Sequence, residues 1–171
     1  MEDTLTMAQS LRHARHDFLN ELQLIKMNLD LGRIEQAQAI IRSHAEAAVH
    51  ASRLSALKLP RTEEWLLVSQ WRFPEFQFRI ECLANKAPHA LDEEFAETLE
   101  TIVQAIKGHM DPWQDYDCRI EITATAAVFT IKMDAAGNWA DIEMPPVPVL
   151  QVRKECAGGR TVFTASAQME G

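Results

Sequence analysis

Six polar side chains crowd one stretch of the sequence: His13, Arg15, His16, Asp17, Asn20 and Gln23, within LRHARHDFLNELQLIKMNLDLGR. An imidazole is neutral and nucleophilic near pH 7, so a histidine set on a solvent-facing helix is where a second protein can present an electrophile to it. Projection at about 100° per residue gathers Leu11, Phe18, Leu22, Ile25 and Leu29 into one apolar sector and puts His16 roughly 145° from its centre. His16 therefore faces outward. His13, Asn20 and Gln23 fall near the same face, because positions three and four apart are helical neighbours, and Asp17 points more to the side. Periodicity alone leaves His16 open as an ordinary surface residue. A metal reading of His13 and His16 is poor, since an i, i+3 pair offers two ligands with no Cys or second His pair set nearby in sequence. The other histidines (His44, His50, His89, His109) are scattered and read as surface or satisfied core.

The elements that must hold this constellation are legible from spacing. Helical periodicity runs from about Thr4 to Leu31, Gly32 supplies a left-handed stop, and a second helix continues from Ile34 to Leu59, ended by Pro60. The short connection folds the two back as an antiparallel hairpin, which Ala37, Ala45, Ala47, Ala48 and Ala51 let pack closely. Two helices alone cannot enclose their apolar stripes, and a two-fold axis would let the same stripe cover itself as a four-helix bundle. After Pro60 the texture changes, giving expected domains 1–60 and 61–171. Glu63 to Arg72 and Asp92 to Gly108 read as helices. Phe76 to Leu83, Cys118 to Thr125, Val128 to Met133 and Thr161 to Gln168 read as strands, with a turn at Gly158-Gly159. Met144 to Pro148 reads as a loop, and 149–155 fits helix or strand equally. The fold class is α+β.

Composition bounds the rest. The chain has 171 residues, 47% hydrophobic and 25% charged, with 17 Lys plus Arg against 25 Asp plus Glu. A net charge of -8 argues against wrapping phosphate backbones, so no nucleic-acid partner is expected. Apolar runs fall short of the roughly 20 residues a membrane span needs. The start MEDTLTMAQS lacks a charged region followed by an apolar one, and Cys82, Cys118 and Cys156 are odd in number and widely separated, which points to a reduced, cytoplasmic protein.

The string RHDFLNELQLIKMNLDLGR, Arg15 to Arg33, resembles the phosphoacceptor helix of the sporulation initiation phosphotransferase B family (stage zero sporulation protein B) and of the related citrate/fumarate-type sensor histidine kinases. The resemblance rests on Arg15, His16, Asp17, Phe18 and Asn20, and continues through Leu22, Gln23, Leu24, Ile25, Lys26 and Asn28. Glu21 departs from it, standing where the family often has Lys. The resemblance implies a dimeric helical bundle, His16 as phosphoacceptor, and Arg15, Asp17 and Asn20 as site residues. Asp17 would accept a hydrogen bond from the second ring nitrogen, and Arg15 and Asn20 would contact the phosphoryl group or shape the regulator interface.

The same resemblance implies a C-terminal domain like a histidine-kinase ATPase domain, and asks whether its boxes are intact. Gln104, in LETIVQAIKGHM, stands where a metal-holding Asn would be. Asp134 to Gly137 (DAAG) lacks the second glycine of an adenine loop, and Gly158-Gly159 lacks the further glycines a phosphate lid requires. The implied protein is thus a phosphotransferase, not an ATP-dependent kinase. It would move a phosphoryl group from the Asp of one response regulator through His16 to the Asp of another, as a homodimer with no intrinsic cofactor and with Mg²⁺ supplied by the regulator. A noncatalytic helical dimer that binds and inhibits a kinase or regulator is the alternative, and an ATP-using kinase with a divergent site is the third reading.

Overall fold

The computed structural model of the chain describes residues 4–111 and 113–169. Four helices, α1 (Met7–Asp30), α2 (Ile34–Ala56), α3 (Pro60–Arg72) and α4 (Asp92–Lys107), accompany five strands, β1 (Phe76–Cys82), β2 (Tyr116–Ala124), β3 (Val128–Ala136), β4 (Gln151–Ala157) and β5 (Arg160–Gln168). The class is α+β, as expected. Packing divides the chain into two compact units, Met1–Val49 and His50–Gly171.

The first unit holds α1 and most of α2. A capping box opens α1: the Gln9 backbone N–H donates to Thr6 Oγ1 at 3.2 Å, and the Thr6 backbone N–H donates to Gln9 Oε1 at 2.8 Å. Gly32, at φ +71°, closes the helix in the left-handed region and its N–H reaches the Leu29 carbonyl at 3.0 Å. Glu21 on α1 and His44 on α2 pair across the hairpin, eleven residues before Gly32 and twelve after it, as the antiparallel register requires.

The apolar stripe of α1 is not covered by this hairpin. Leu11, Phe18, Leu22 and Leu29 are each about half exposed or more, and Ile25 is half-buried. Asn28 is the buried residue of α1, with its Nδ2 donating to the Leu24 carbonyl at 2.8 Å.

The second unit begins inside α2, not at Pro60. Leu54, Leu57 and Leu59 are buried in its core, and His50 Nδ1 lies 3.2 Å from the Cys82 backbone N–H. These apolar side chains draw the last turns of α2 into the C-terminal unit, so the compact units divide at 49/50, where the sequence texture suggested 60/61. Pro60 does not end α2. The helix stops at Ala56, Lys58 takes φ +55°, and Pro60 opens α3. A proline is suited to a first helical position, where its missing N–H would have no partner anyway.

A mixed sheet in the order β1-β2-β3-β5-β4 carries this unit, with β1 and β2 parallel and the other pairs antiparallel. Alternation along β2, β3 and β5 sends Ile120, Ile122, Phe129, Ile131, Met133, Phe163 and Ala165 into the core with Phe95, Leu99, Ile102, Val103 and Ile106 of α4. The Phe95 and Phe129 rings meet edge to face at 5.1 Å. Gly158 and Gly159, both at positive φ, form the two-residue turn joining β4 to β5. The segment 149–155, ambiguous in sequence, runs into β4. As an edge strand with mostly exposed residues, it carries no apolar alternation to betray it.

Candidate functional site

His16 stands on the third turn of α1 with its side chain 72% exposed. Asn20, one turn on, places Nδ2 3.2 Å from His16 Nδ1. Asp17 Oδ1 lies 3.6 Å from the same nitrogen, beyond hydrogen-bond range but within that of a close charge. Both neighbours therefore address Nδ1, and no described group engages Nε2. Rotation of the Asn20 amide exchanges donor for acceptor. Its N–H₂ suits a bare Nδ1 and its carbonyl suits Nδ1–H, and in the second arrangement the Nε2 lone pair points to solvent as a nucleophile.

The other residues singled out from sequence divide around this centre. Arg15 is exposed on α1, about 100° round the helix from His16. His13 and Gln23 are exposed as expected. Glu21, whose charge differs from the resemblance, is turned toward α2 and joined to His44. That pairing could not be read from α1 alone, because it depends on the register of the hairpin. Arg12, exposed one turn before His16 and only about 40° from it in projection, was not singled out, although its i, i+4 spacing was the available signal.

The remnants sought in the C-terminal unit are taken up in structural contacts: the Gly137 N–H donates to the Gly159 carbonyl at 2.8 Å, while Gln104 is engaged on α4. Gln104 donates to Glu100 Oε1 at 3.0 Å, and Glu100 also receives Trp65 Nε1 at 2.6 Å and the two terminal guanidinium nitrogens of Arg72, each at 2.9 Å. Burial pushes the Glu100 carboxyl up, but the hydrogen bonds from Arg72, Gln104 and Trp65, with the Arg72 charge, outweigh it and hold the group below its ordinary value. Gln104 thus serves a structural cluster. Asp134 alternates onto the face of the sheet opposite Phe129, Ile131 and Met133, where it takes Arg160 Nε at 2.7 Å. Gly137, at φ +105°, makes room for Trp139: a Cβ there would lie 2.6 Å from the indole. The glycine pair 158-159 is used by the β4–β5 turn. Among the described residues, no group of three or more His, Cys, Asp or Glu is arranged to hold a metal ion, and no helix is long and apolar enough to cross a membrane.

Residues 1–57 match the alpha-helical domain of the SpoOB-type sensor kinase family. The chain is also similar to sporulation initiation phosphotransferase B of Bacillus subtilis (strain 168), 33% identical over 93 residues that make up 54% of this chain and 48% of that protein. The chain thus spans about half the length of the curated relative it matches. Among solved structures it is similar to histidine kinase ThkA in complex with response regulator protein TrrA, at TM-score 0.44 and 11% identity over 92% of this chain and 60% of the other. The catalytic domain of ThkA is similar at TM-score 0.42 and 11% identity, over 68% of this chain and 92% of that domain.

Proposed function

We propose, from the match of residues 1–57 to the SpoOB-type sensor kinase alpha-helical domain, that this chain is a histidine phosphotransferase of a phosphorelay. It takes a phosphoryl group from the Asp of one response regulator onto His16 and delivers it to the Asp of another. The observation that carries this reading is the division of labour on the imidazole: Asn20 and Asp17 address Nδ1, and Nε2 stands clear for in-line attack. The Nε2 lone pair forms the N–P bond as the P–O bond to the regulator's aspartate breaks, and the carboxylate leaves with the electron pair. The Nδ1 proton stays on the ring, facing the Asn20 amide and the Asp17 carboxylate. The return step reverses each of these on the second regulator's aspartate.

Mg²⁺ belongs to the regulator's acidic pocket in this reading, and neutralises phosphoryl oxygens there. The chain supplies position. The bare stripe Leu11, Phe18, Leu22 and Leu29 supports a homodimer in which a second hairpin covers it, giving a four-helix bundle in a cytoplasmic protein. The engagement of Gln104 with Glu100, of Asp134 with Arg160 and of Gly158-Gly159 in the β4–β5 turn supports a phosphotransferase that does not draw on ATP.

The test is incubation with a phosphorylated response regulator, and separately with ATP and Mg²⁺. Acid-labile, base-stable label on His16 from the regulator alone is the expected result. Label from ATP would favour a divergent kinase. Regulator binding without any label would favour a noncatalytic inhibitor.

A further inference from the structure

A phosphoryl group on His16 carries two negative charges out of the regulator's pocket and onto a chain whose acidic residues already outnumber its basic ones by 25 to 17. Something on α1 must meet that charge. The helix has three Lys or Arg side chains, Arg12, Arg15 and Lys26. Lys26 is ten residues on, about 15 Å along the axis, and is paired with Asp30 at 2.6 Å. Arg15 precedes His16 directly and so projects about 100° away from it. Arg12 lies four residues before His16, about 40° round and one turn down, where Cβ atoms are about 6 Å apart. Its guanidinium is exposed and makes no hydrogen bond or ion pair among the described residues, whereas Arg72, Arg119 and Arg160 are each joined to carboxylates.

Direction favours the same residue. Side chains four apart lie on one helix face one above the other, so Arg12 and Asn20 flank His16 from its N-terminal and C-terminal sides. Asn20 takes Nδ1 from the C-terminal side, which turns Nε2 away from Asn20.

We propose that Arg12 is the phosphoryl-binding cation of the His16 site, its guanidinium engaging the phosphoryl oxygens during transfer and on the phosphohistidine, a role the position of Arg15 does not suit. This inference rests on the phosphotransferase reading. The step is the one balanced above: N–P forms, P–O to the aspartate breaks, the carboxylate departs, and no proton passes to Arg12, which stays charged and donates N–H bonds to two oxygens.

The experiment uses the full chain and two donors, a phosphorylated response regulator and phosphoramidate, a small donor that has no protein surface. With phosphoramidate the P–N bond breaks and ammonia leaves as N–P forms on His16. Arg12→Gln keeps length and helix propensity, and Arg12→Lys keeps charge without the fork. Helicity and oligomeric state are checked for both, and Arg33→Ala, an exposed arginine at the hairpin turn, controls for net charge. Arg12→Gln should slow His16 labelling by phosphoramidate about tenfold and hasten hydrolysis of the phosphohistidine, Arg12→Lys should recover part of both, and Arg33→Ala should match wild type. Equal rates for wild type and Arg12→Gln with phosphoramidate would overturn the role while leaving the phosphotransferase intact. Slowing with the regulator only would make Arg12 a docking residue and also overturn it. Absence of wild-type labelling on His16 by either donor would remove both readings, with His16→Gln as the blank.

Discussion

The Asn20 amide sits 3.2 Å from His16 Nδ1, one helical turn along α1, with no counterpart at Nε2 among the described residues. The spacing is i, i+4, so the pair forms with the helix itself and does not wait on tertiary packing. His16→Gln should keep fold and oligomeric state, because an exposed polar exchange removes no packing, and should abolish transfer in both directions. His13→Gln should leave most transfer intact, since His13 is not followed by Asp and has no Asn four residues on. Asn20→Ala should slow transfer about fivefold, matching loss of one hydrogen bond of about 1 kcal/mol. Rates from regulator to regulator, with label mapped to the histidine, check all three.

Leu22 is 46% exposed in the single chain, and lies in line with Leu11, Phe18 and Leu29. Covered by a second hairpin, it becomes interior. Leu22→Asp should then dissociate the dimer, as a buried unpaired carboxylate costs several kcal/mol. Sedimentation at micromolar concentration should give a dimer for wild type and a monomer for the variant. A monomeric wild type would remove the shared-bundle arrangement.

Sequence reading reached furthest where one element carries its own signal. The amphipathic stripe of α4, the glycine stop at Gly32 and the alternation along β2, β3 and β5 are local patterns, and each marked its element to within a few residues. What spacing leaves undecided depends on partners distant in sequence. Strand β4 exists because β5 pairs with it, and its exposed residues have no periodicity of their own. Within the candidate site, His16 and Asn20 are legible by spacing, whereas the Glu21–His44 pair follows from the fold of the hairpin.

The cluster of Trp65, Arg72, Gln104 and Glu100 predicts acid sensitivity with a definite sign. A carboxyl whose folded pKa lies below its ordinary 4.5 stabilises the fold fully above that value, and the contribution is lost as pH falls through the lowered folded pKa. Glu100→Gln should therefore cost about 1–2 kcal/mol at pH 7, a figure kept small by partial exposure, and should make the acid limb of the stability curve shallower. Urea midpoints between pH 3 and 7 measure both effects.

Gly137→Ala should destabilise the C-terminal unit by about 2–3 kcal/mol. The residue holds φ +105°, and an added Cβ would meet Trp139 at 2.6 Å. The indole has little freedom to yield: its Nε1 donates to the Ala136 carbonyl at 2.9 Å, its backbone N–H donates to Thr161 Oγ1 at 2.9 Å, and its ring lies 5.6 Å from that of Tyr116. A lower denaturation midpoint with altered tryptophan fluorescence is the expected result. An unchanged midpoint would show that Trp139 packs elsewhere.

Pro60 reads as a stop in sequence and acts as a start in the structure, and Asp92 is the reason. Leu59 gives α3 no side-chain cap, so the first-turn N–H groups of that helix need another acceptor. Asp92, the first residue of α4, supplies it from thirty residues away: Oδ2 accepts from the Arg61 N–H at 2.8 Å, Oδ1 accepts from the Thr62 N–H at 2.9 Å, and Thr62 Oγ1 donates to the Asp92 carbonyl at 3.0 Å. One carboxylate thus serves the positive ends of two helices at once. Asp92→Ala should leave the Thr62 N–H buried without a partner and cost about 2–3 kcal/mol, more than loss of an exposed cap. Asp92→Asn retains one acceptor oxygen and should cost about half as much. Thermal unfolding of the two variants, followed by circular dichroism, decides it, and equal midpoints for Asp92→Ala and wild type would mean that α3 starts without this cap.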